Sequence, residues 1–131
     1  MSWKKEIKEI SLRKKLALSQ GGKEAIDIQH AKGRLTLRER IDLILDKNSF
    51  EEVGKISGGM EHKEDGSIDS FTPANFILGF GEINKRKIVI GGEDFTVKGG
   101  SPNAAGNRKS VYTDCLLYTS DAADEGLGVD L

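Results

Sequence analysis

Residues Gln29–Asp46, "QHAKGRLTLRERIDLILD", decide the fold. Thr36 and Glu39 stand in the T-x-x-E spacing of a capping box, where each side chain satisfies a free backbone amide at a helix start. Behind them Leu37, Ile41, Ile44 and Leu45 recur at helical spacing, so one apolar stripe runs along the helix until Asp46–Asn48 end it. Arg34, Arg38 and Arg40, with Lys32, invite a phosphate-binding reading. No aromatic residues are interleaved with them for base stacking, so they read as salt-bridging residues on a charged helix face. Asp42 and Asp46, four apart, read as exposed helix-face acids rather than a general acid–base pair.

Upstream, "SWKKEIKEISLRKKLALSQGG" reads as a first helix, with Trp3, Ile7 and Ile10 and then Leu12 and Leu16 at helical spacing. Gly21 and Gly22 follow where a C-cap tolerant of positive φ is wanted. A second short helix, "KEAIDIQHAK", ends at Gly33. Downstream the period changes to two. "SFEEVG" is a short strand, and "SGGMEHKEDGSIDS" is an exposed polar loop or hairpin tip. "ANFILGFGEINKRKIVIGGEDFTV" reads as two strands about a turn at Asn84–Lys85, with Phe76, Leu78 and Phe80 on one face. The run Ile88–Val89–Ile90 suits a strand covered on both faces. Glu93 and Asp94 read as strand-end acids. "VKGGSPNAAGNRKSVY" then places a glycine-rich turn before a helix start, the local pattern best suited to approach an anion. It is neither a Walker A sequence nor a G-x-G-x-x-G.

The chain of 131 residues has room for one domain, and with 37% hydrophobic but 6% aromatic residues its core is aliphatic. The net charge of −1 conceals an asymmetry: residues 1–40 hold 11 Lys/Arg and 5 Asp/Glu, whereas residues 41–131 hold 9 and 16. His30, His62 and Cys115 have no metal-site spacing, and both histidines read as surface residues. A single cysteine excludes an internal disulfide framework and suits a reducing compartment. No apolar run approaches the roughly 20 residues of a membrane span, and the start lacks the apolar segment of a secretory signal. A soluble, cytoplasmic protein is expected, with no metal, no nucleic acid and no membrane partner.

"GGKEAIDIQHAKGRLTLRERIDLILDKNSFEEVG", followed by "ANFILGFGEINKRKIVIGGEDFTVKGGS", resembles the amino-terminal part of the carboxyltransferase (β) subunit of biotin-dependent acyl-CoA carboxylases, of the propionyl-CoA and methylcrotonyl-CoA type. The resemblance runs from about Lys4 to Thr113, and Gln29–Ile41 is its most specific part. It implies an α/β, crotonase-like fold built from ββα units, truncated here to a helical lead-in (1–48) and the start of the carboxyltransferase N-terminal domain (49–114). It also implies transfer of a carboxyl group from carboxybiotin, carried on a separate domain, to the α-carbon of an acyl-CoA. The partners implied are the biotin carboxylase/biotin carrier subunit and further copies of the chain in a homo-oligomer. The glycine-rich turns that stabilise the enolate in the family lie downstream, so no catalytic residue is assigned and the chain alone is expected to be inactive. Gly99, Gly100 and Ser101 are the residues expected near the CoA moiety. Met1 and Met60 do not flank a lysine as in biotin-attachment sites. One departure stands out: relatives carry Asn-Gly where this chain has Asn84–Lys85, which speaks against a tight two-residue turn there. The α subunit of a biotin-dependent decarboxylase shares this lead-in and is an alternative; a small basic binding module for nucleic acid or protein is another.

Cys115–Leu131, "CLLYTSDAADEGLGVDL", contains four acids and no Lys or Arg. It resembles one reading frame of a transposon-end sequencing adapter, and it departs from the family at the point where the composition shifts. It is therefore expected to be non-native, and Cys115 is assigned no function.

Overall fold

The computed structural model describes residues 2–119. Three helices, α1 (Lys4–Leu18), α2 (Lys23–Ala31) and α3 (Leu37–Ile44), precede five strands, β1 (Glu51–Val53), β2 (Gly58–His62), β3 (Ile68–Pro73), β4 (Phe76–Ile83) and β5 (Arg86–Glu93). A 3-10 turn, Lys98–Gly100, leads into α4 (Ala104–Thr119). β1, β4 and β5 form one antiparallel sheet with β4 central; β2 and β3 form a separate hairpin. The polar stretch from Gly58 to Ser70 is thus mostly paired strand, and only its centre is a tip.

The capping box forms as the spacing requires. Thr36 Oγ1 accepts from the Glu39 amide at 3.3 Å, and the Glu39 carboxylate accepts from the Thr36 amide at 2.7 Å. With its start fixed, α3 lays Ile41 and Leu45 against Ile77 of β4, and Leu37, Phe50, Ile83, Ile88 and Ile90 pack around them. The stripe is narrower than its spacing suggested. The backbone turns extended at Leu45, which carries that side chain inward, while Ile44 stays 53% exposed. The sheet admits the helix because glycines pave its face: a Cβ on Gly81 would lie 2.5 Å from Leu45 Cδ1, and one on Gly92 2.9 Å from Leu37 Cδ1.

The other face of the sheet carries Phe76, Leu78 and Phe80, as their alternation requires, with Leu78 fully buried. α4 covers this face: the Thr113 methyl lies beside Gly91, opposite Leu78 in the register. β4, not β5, is therefore the strand enclosed on both sides. As the edge strand, β5 leaves Ile88, Val89 and Ile90 only half-buried. α1 packs on β3 and leaves Trp3 64% and Ile7 60% exposed. Its left-handed terminal residue is Gln20 (φ 53°) rather than Gly21. Gly21 is needed for close approach instead. Its amide donates to Thr96 Oγ1 at 2.9 Å, and a Cβ there would meet the Thr96 carbonyl oxygen at 1.6 Å.

The β4–β5 turn is tight despite its lysine. Ile83 pairs with Arg86, and both intervening residues are left-handed, Asn84 at φ 51° and Lys85 at φ 66°. This is the conformation of a type I′ loop, which favours Gly in the second position. Asp46, at the end of the α3 segment, compensates by accepting from the amides of Asn84 (2.9 Å) and Lys85 (2.7 Å). Lys85→Gly removes the left-handed penalty and is expected to raise stability by about 1 kcal/mol. Asp46→Ala leaves two exposed amides of that turn to water and is expected to lower stability by about 1 kcal/mol. Urea unfolding of the two variants checks both signs.

Candidate functional site

The glycine-rich turn and the start of α4 are fixed from three directions. Pro102 precedes Asn103, whose side chain accepts from the Gly106 amide at 2.7 Å as an N-cap. Asn75, just before β4, donates from its amide nitrogen to the Ser101 carbonyl at 2.6 Å and is itself 4% exposed. From inside α4, Lys109 donates to the Phe76 carbonyl at 2.9 Å. Between these anchors Lys98, Gly99 and Gly100 all take positive φ, at 48°, 62° and 81°. The amides of Gly100 and Ser101 donate back to Val97 and Lys98, so they close the turn and are not offered to a ligand.

A groove of about 560 Å³ opens between this turn, the start of α4 and the β2–β3 hairpin. Lys98, Asn103 and Arg108 line one side, and Glu61, Ser70 and Thr72 the other. Gly99, Gly100 and Ser101 sit beside this groove rather than in its wall, which is formed by the residues flanking them. Two cations and the positive end of a 16-residue helix face one carboxylate, Glu61, which already accepts from Ser70 Oγ at 3.0 Å. Such a groove favours an anionic group. Asn103 and Arg108 did not stand out in the sequence. The Pro-Asn pair three residues before Gly106 is the signal that marks the cap.

The remaining singled-out residues lie away from this groove. Of the three arginines, Arg38 pairs with Glu52 through both terminal nitrogens (2.7 and 2.9 Å). Arg34 and Arg40 have no ion pair among the described residues and line a smaller hollow of about 380 Å³ with Glu93 and Phe95. Asp94 is 2% exposed and closes a local turn, accepting from the Thr96 amide and hydroxyl at 2.9 and 2.6 Å. Asp42 is exposed, and Asp46 serves the hairpin turn. His62 is exposed at an irregularity in β2. Cys115 is exposed on α4, which runs across the change of composition at that residue; residues 120–131 of the tail lie outside the described residues. Among the described residues no cluster of His, Cys, Asp or Glu could hold a metal, and no helix is long and apolar enough to cross a membrane.

The carboxyl transferase domain model matches residues 28–125, a range that runs past Asp114–Cys115. The chain belongs to the carboxyl transferase domain family. The propionyl-CoA carboxylase beta chain of Roseobacter denitrificans is 37% identical over 106 residues, covering 79% of this chain and 20% of that protein. The mitochondrial propionyl-CoA carboxylase beta chain of Homo sapiens is 37% identical over 105 residues, 76% of this chain and 19% of its own length. Transcarboxylase 12S, solved as a hexamer with methylmalonyl-coenzyme A bound, superposes with a TM-score of 0.73 and 28% identity over 91% of this chain and 24% of its own. A single-chain, multi-domain long-chain acyl-CoA carboxylase shares the fold at 23% identity, with a TM-score of 0.67. The chain thus has the α/β, crotonase-like fold, and it spans about a fifth of the length of the curated relatives it matches.

Two titrations test the local electrostatics. His30 Nε2 lies 2.9 Å from both Glu39 oxygens, and that contact, with the Thr36 amide, holds the Glu39 carboxyl below its usual value of 4.5. A depressed carboxyl pKa stabilises the fold above pH 4.5, and the contribution is lost as pH falls through the folded value. His30→Ala should move the Glu39 midpoint back toward 4.5 by NMR. The Lys109 pKa is lowered as well, here at the expense of its charged form. Burial is the main cause lowering it from 10.5; the Arg38 charge adds to the effect and the Glu52 charge opposes it. Between the folded value and 10.5 the unfolded chain binds more protons, so stability climbs with pH across that window. Lys109→Met is expected to flatten the climb in denaturant midpoints measured from pH 8 to 10.5.

Proposed function

We propose that this chain is the amino-terminal part of a carboxyltransferase subunit that moves a carboxyl group from carboxybiotin to the α-carbon of an acyl-CoA. The observation that carries the reading is the family match across residues 28–125 together with the cationic groove beside the α4 start. In this reading the Lys98–Arg108 groove receives an anionic part of the CoA moiety, with Gly99, Gly100 and Ser101 setting the turn that shapes it. Biotin would be carried by a separate domain, and a biotin carboxylase/biotin carrier subunit and further copies of the chain would complete the assembly, in the cytoplasm. The chain supplies α1–α3 as packing elements (residues 1–48) and the opening strands of the carboxyltransferase domain (residues 49–114). Residues 115–131 are the proposed non-native tail, with Cys115 outside any site.

No step of the chemistry is assigned to the described residues, whose part in this reading is to hold the anionic end of the substrate. The 131-residue chain alone should transfer no label from carboxybiotin to propionyl-CoA; measurable turnover would sink the fragment reading. Grafting residues 4–113 in place of the matching segment of a propionyl-CoA carboxylase beta chain should restore activity. In that graft Arg108→Ala should raise the acyl-CoA KM by roughly tenfold, the loss of one charge-assisted contact of about 1.5 kcal/mol, with kcat little changed. An unchanged KM removes the groove from the proposal while leaving the subunit assignment intact. The nucleotide sequence behind codons 114–131 decides the tail.

A further inference from the structure

β5 is an eight-residue strand at the edge of its sheet, paired with β4 on one side. The parity of its hydrogen bonds is fixed at both ends. Ile83 and Arg86 flank the tight turn, and past the other end the Asp94 amide donates to the Asn75 carbonyl at 2.8 Å. In an antiparallel ladder, residues that bond the partner alternate with residues whose backbone groups face away. Arg86, Ile88, Ile90 and Gly92 therefore bond β4, and the amides and carbonyls of Lys87, Val89, Gly91 and Glu93 point outward. Among the described residues no strand takes up that edge. Lys87, Gly91 and Glu93 are exposed there, and Val89 is half-buried.

Exposed edges are ordinarily blunted by a bulge, a proline or a very short strand. None of these applies to β5. Its ladder with β4 runs from end to end without a register shift, and it contains no proline. The charges on the outward row are Lys87 at one end and Glu93 at the other, with Val89 and Gly91 between them. Among the described residues neither charge makes an ion pair. A row with opposite charges at its two ends is complementary to itself when turned end for end.

We propose that the outer edge of β5 pairs antiparallel with the same edge of a second copy, joining the two sheets across a two-fold axis at Ile90. In this register Lys87 faces Glu93 of the second copy and Val89 faces its Gly91, each facing pair exchanging two backbone hydrogen bonds. The opposite charges meet at both ends of the row. Sliding the strands by two residues in either direction loses the Lys87–Glu93 contacts, so charge fixes the register. On the other face Ile90 meets its own copy across the axis, covering apolar surface that the edge position leaves half-buried. The opposite edge of the sheet is β1, which is three residues long and carries Glu51 and Glu52. Assembly therefore closes at two copies instead of propagating. The pairing is independent of the carboxyltransferase reading and belongs to the 131-residue chain.

Sedimentation velocity of the 131-residue chain over a range of concentrations reads its oligomeric state, and amide hydrogen exchange by NMR at both ends of that range reads the edge. A monomer–dimer equilibrium is expected, with the amides of Lys87, Val89, Gly91 and Glu93 protected in the dimer and exchanging freely in the monomer. Lys87→Glu and Glu93→Lys each set like charges against one another at both ends, and each should weaken the dimer by roughly tenfold. The double variant restores opposite charges and should restore association. Both side chains are exposed, so the fold of these variants, checked by circular dichroism, should persist. Val89→Pro removes an outward amide without touching the β4 ladder and should leave the chain monomeric. A parent chain that stays monomeric overturns the proposal, as does a dimer whose edge amides exchange as they do in the monomer. A dimer indifferent to the single charge reversals overturns it as well.

Discussion

The seat of α3 on the β4–β5 sheet is the constraint on which the other elements depend. An eight-residue helix is too short to persist by propensity, so it exists because its start is capped and one face is buried. The Thr36–Glu39 box fixes where it starts, and Ile41 and Leu45 fix how it faces. Their burial requires the sheet to come close, which Gly81 and Gly92 permit. The same placement brings Arg38 to Glu52 and Glu39 to His30, so α2, α3 and β1 are joined by charges that the helix positions. On the far side, α4 is held to the strand by a lysine donating to a backbone carbonyl. The central strand is thus gripped from both faces by helices that the chain places before and after it.

Much of this was legible because it is local. The capping box, the helical stripe, the hairpin strands and the glycine-rich turn are all written within ten or so residues, where spacing and backbone preference act directly. The residues that resisted reading are those whose meaning is a distant partner. Gly21 looked like a helix cap and is a point of backbone contact with Thr96, 75 positions on. Ile44 shared the apolar spacing, yet the chain turns outward after it and Leu45 takes the core position. Lys109 carries no local signal of its own, and its burial follows from α4 folding over the sheet. The run Ile88–Ile90 showed apolarity correctly, but strand order is not written in a strand's own residues, so its edge position could not be foreseen.

The candidate groove was legible to within a few residues and no closer. The paired glycines drew attention to the turn, and their role is to let it reverse, with the Gly100 and Ser101 amides spent on closing it. The charged side chains that face the groove stand on either side, at Lys98 and Arg108, and composition alone gave no reason to prefer them over other surface cations. Only the capped helix start turns two ordinary basic residues into a directed positive field.

The turn at Asn84–Lys85 carries a consequence for how such chains vary. A left-handed position normally restricts its own residue to glycine. Here the restriction is shared with a residue 39 positions earlier, whose carboxylate holds the Lys85 amide in place. An acid at position 46 offsets part of the cost of a side chain at position 85, and that offset is needed less where position 85 is glycine. Among related chains the two positions should change together, a correlation set by one backbone angle rather than by any contact between side chains.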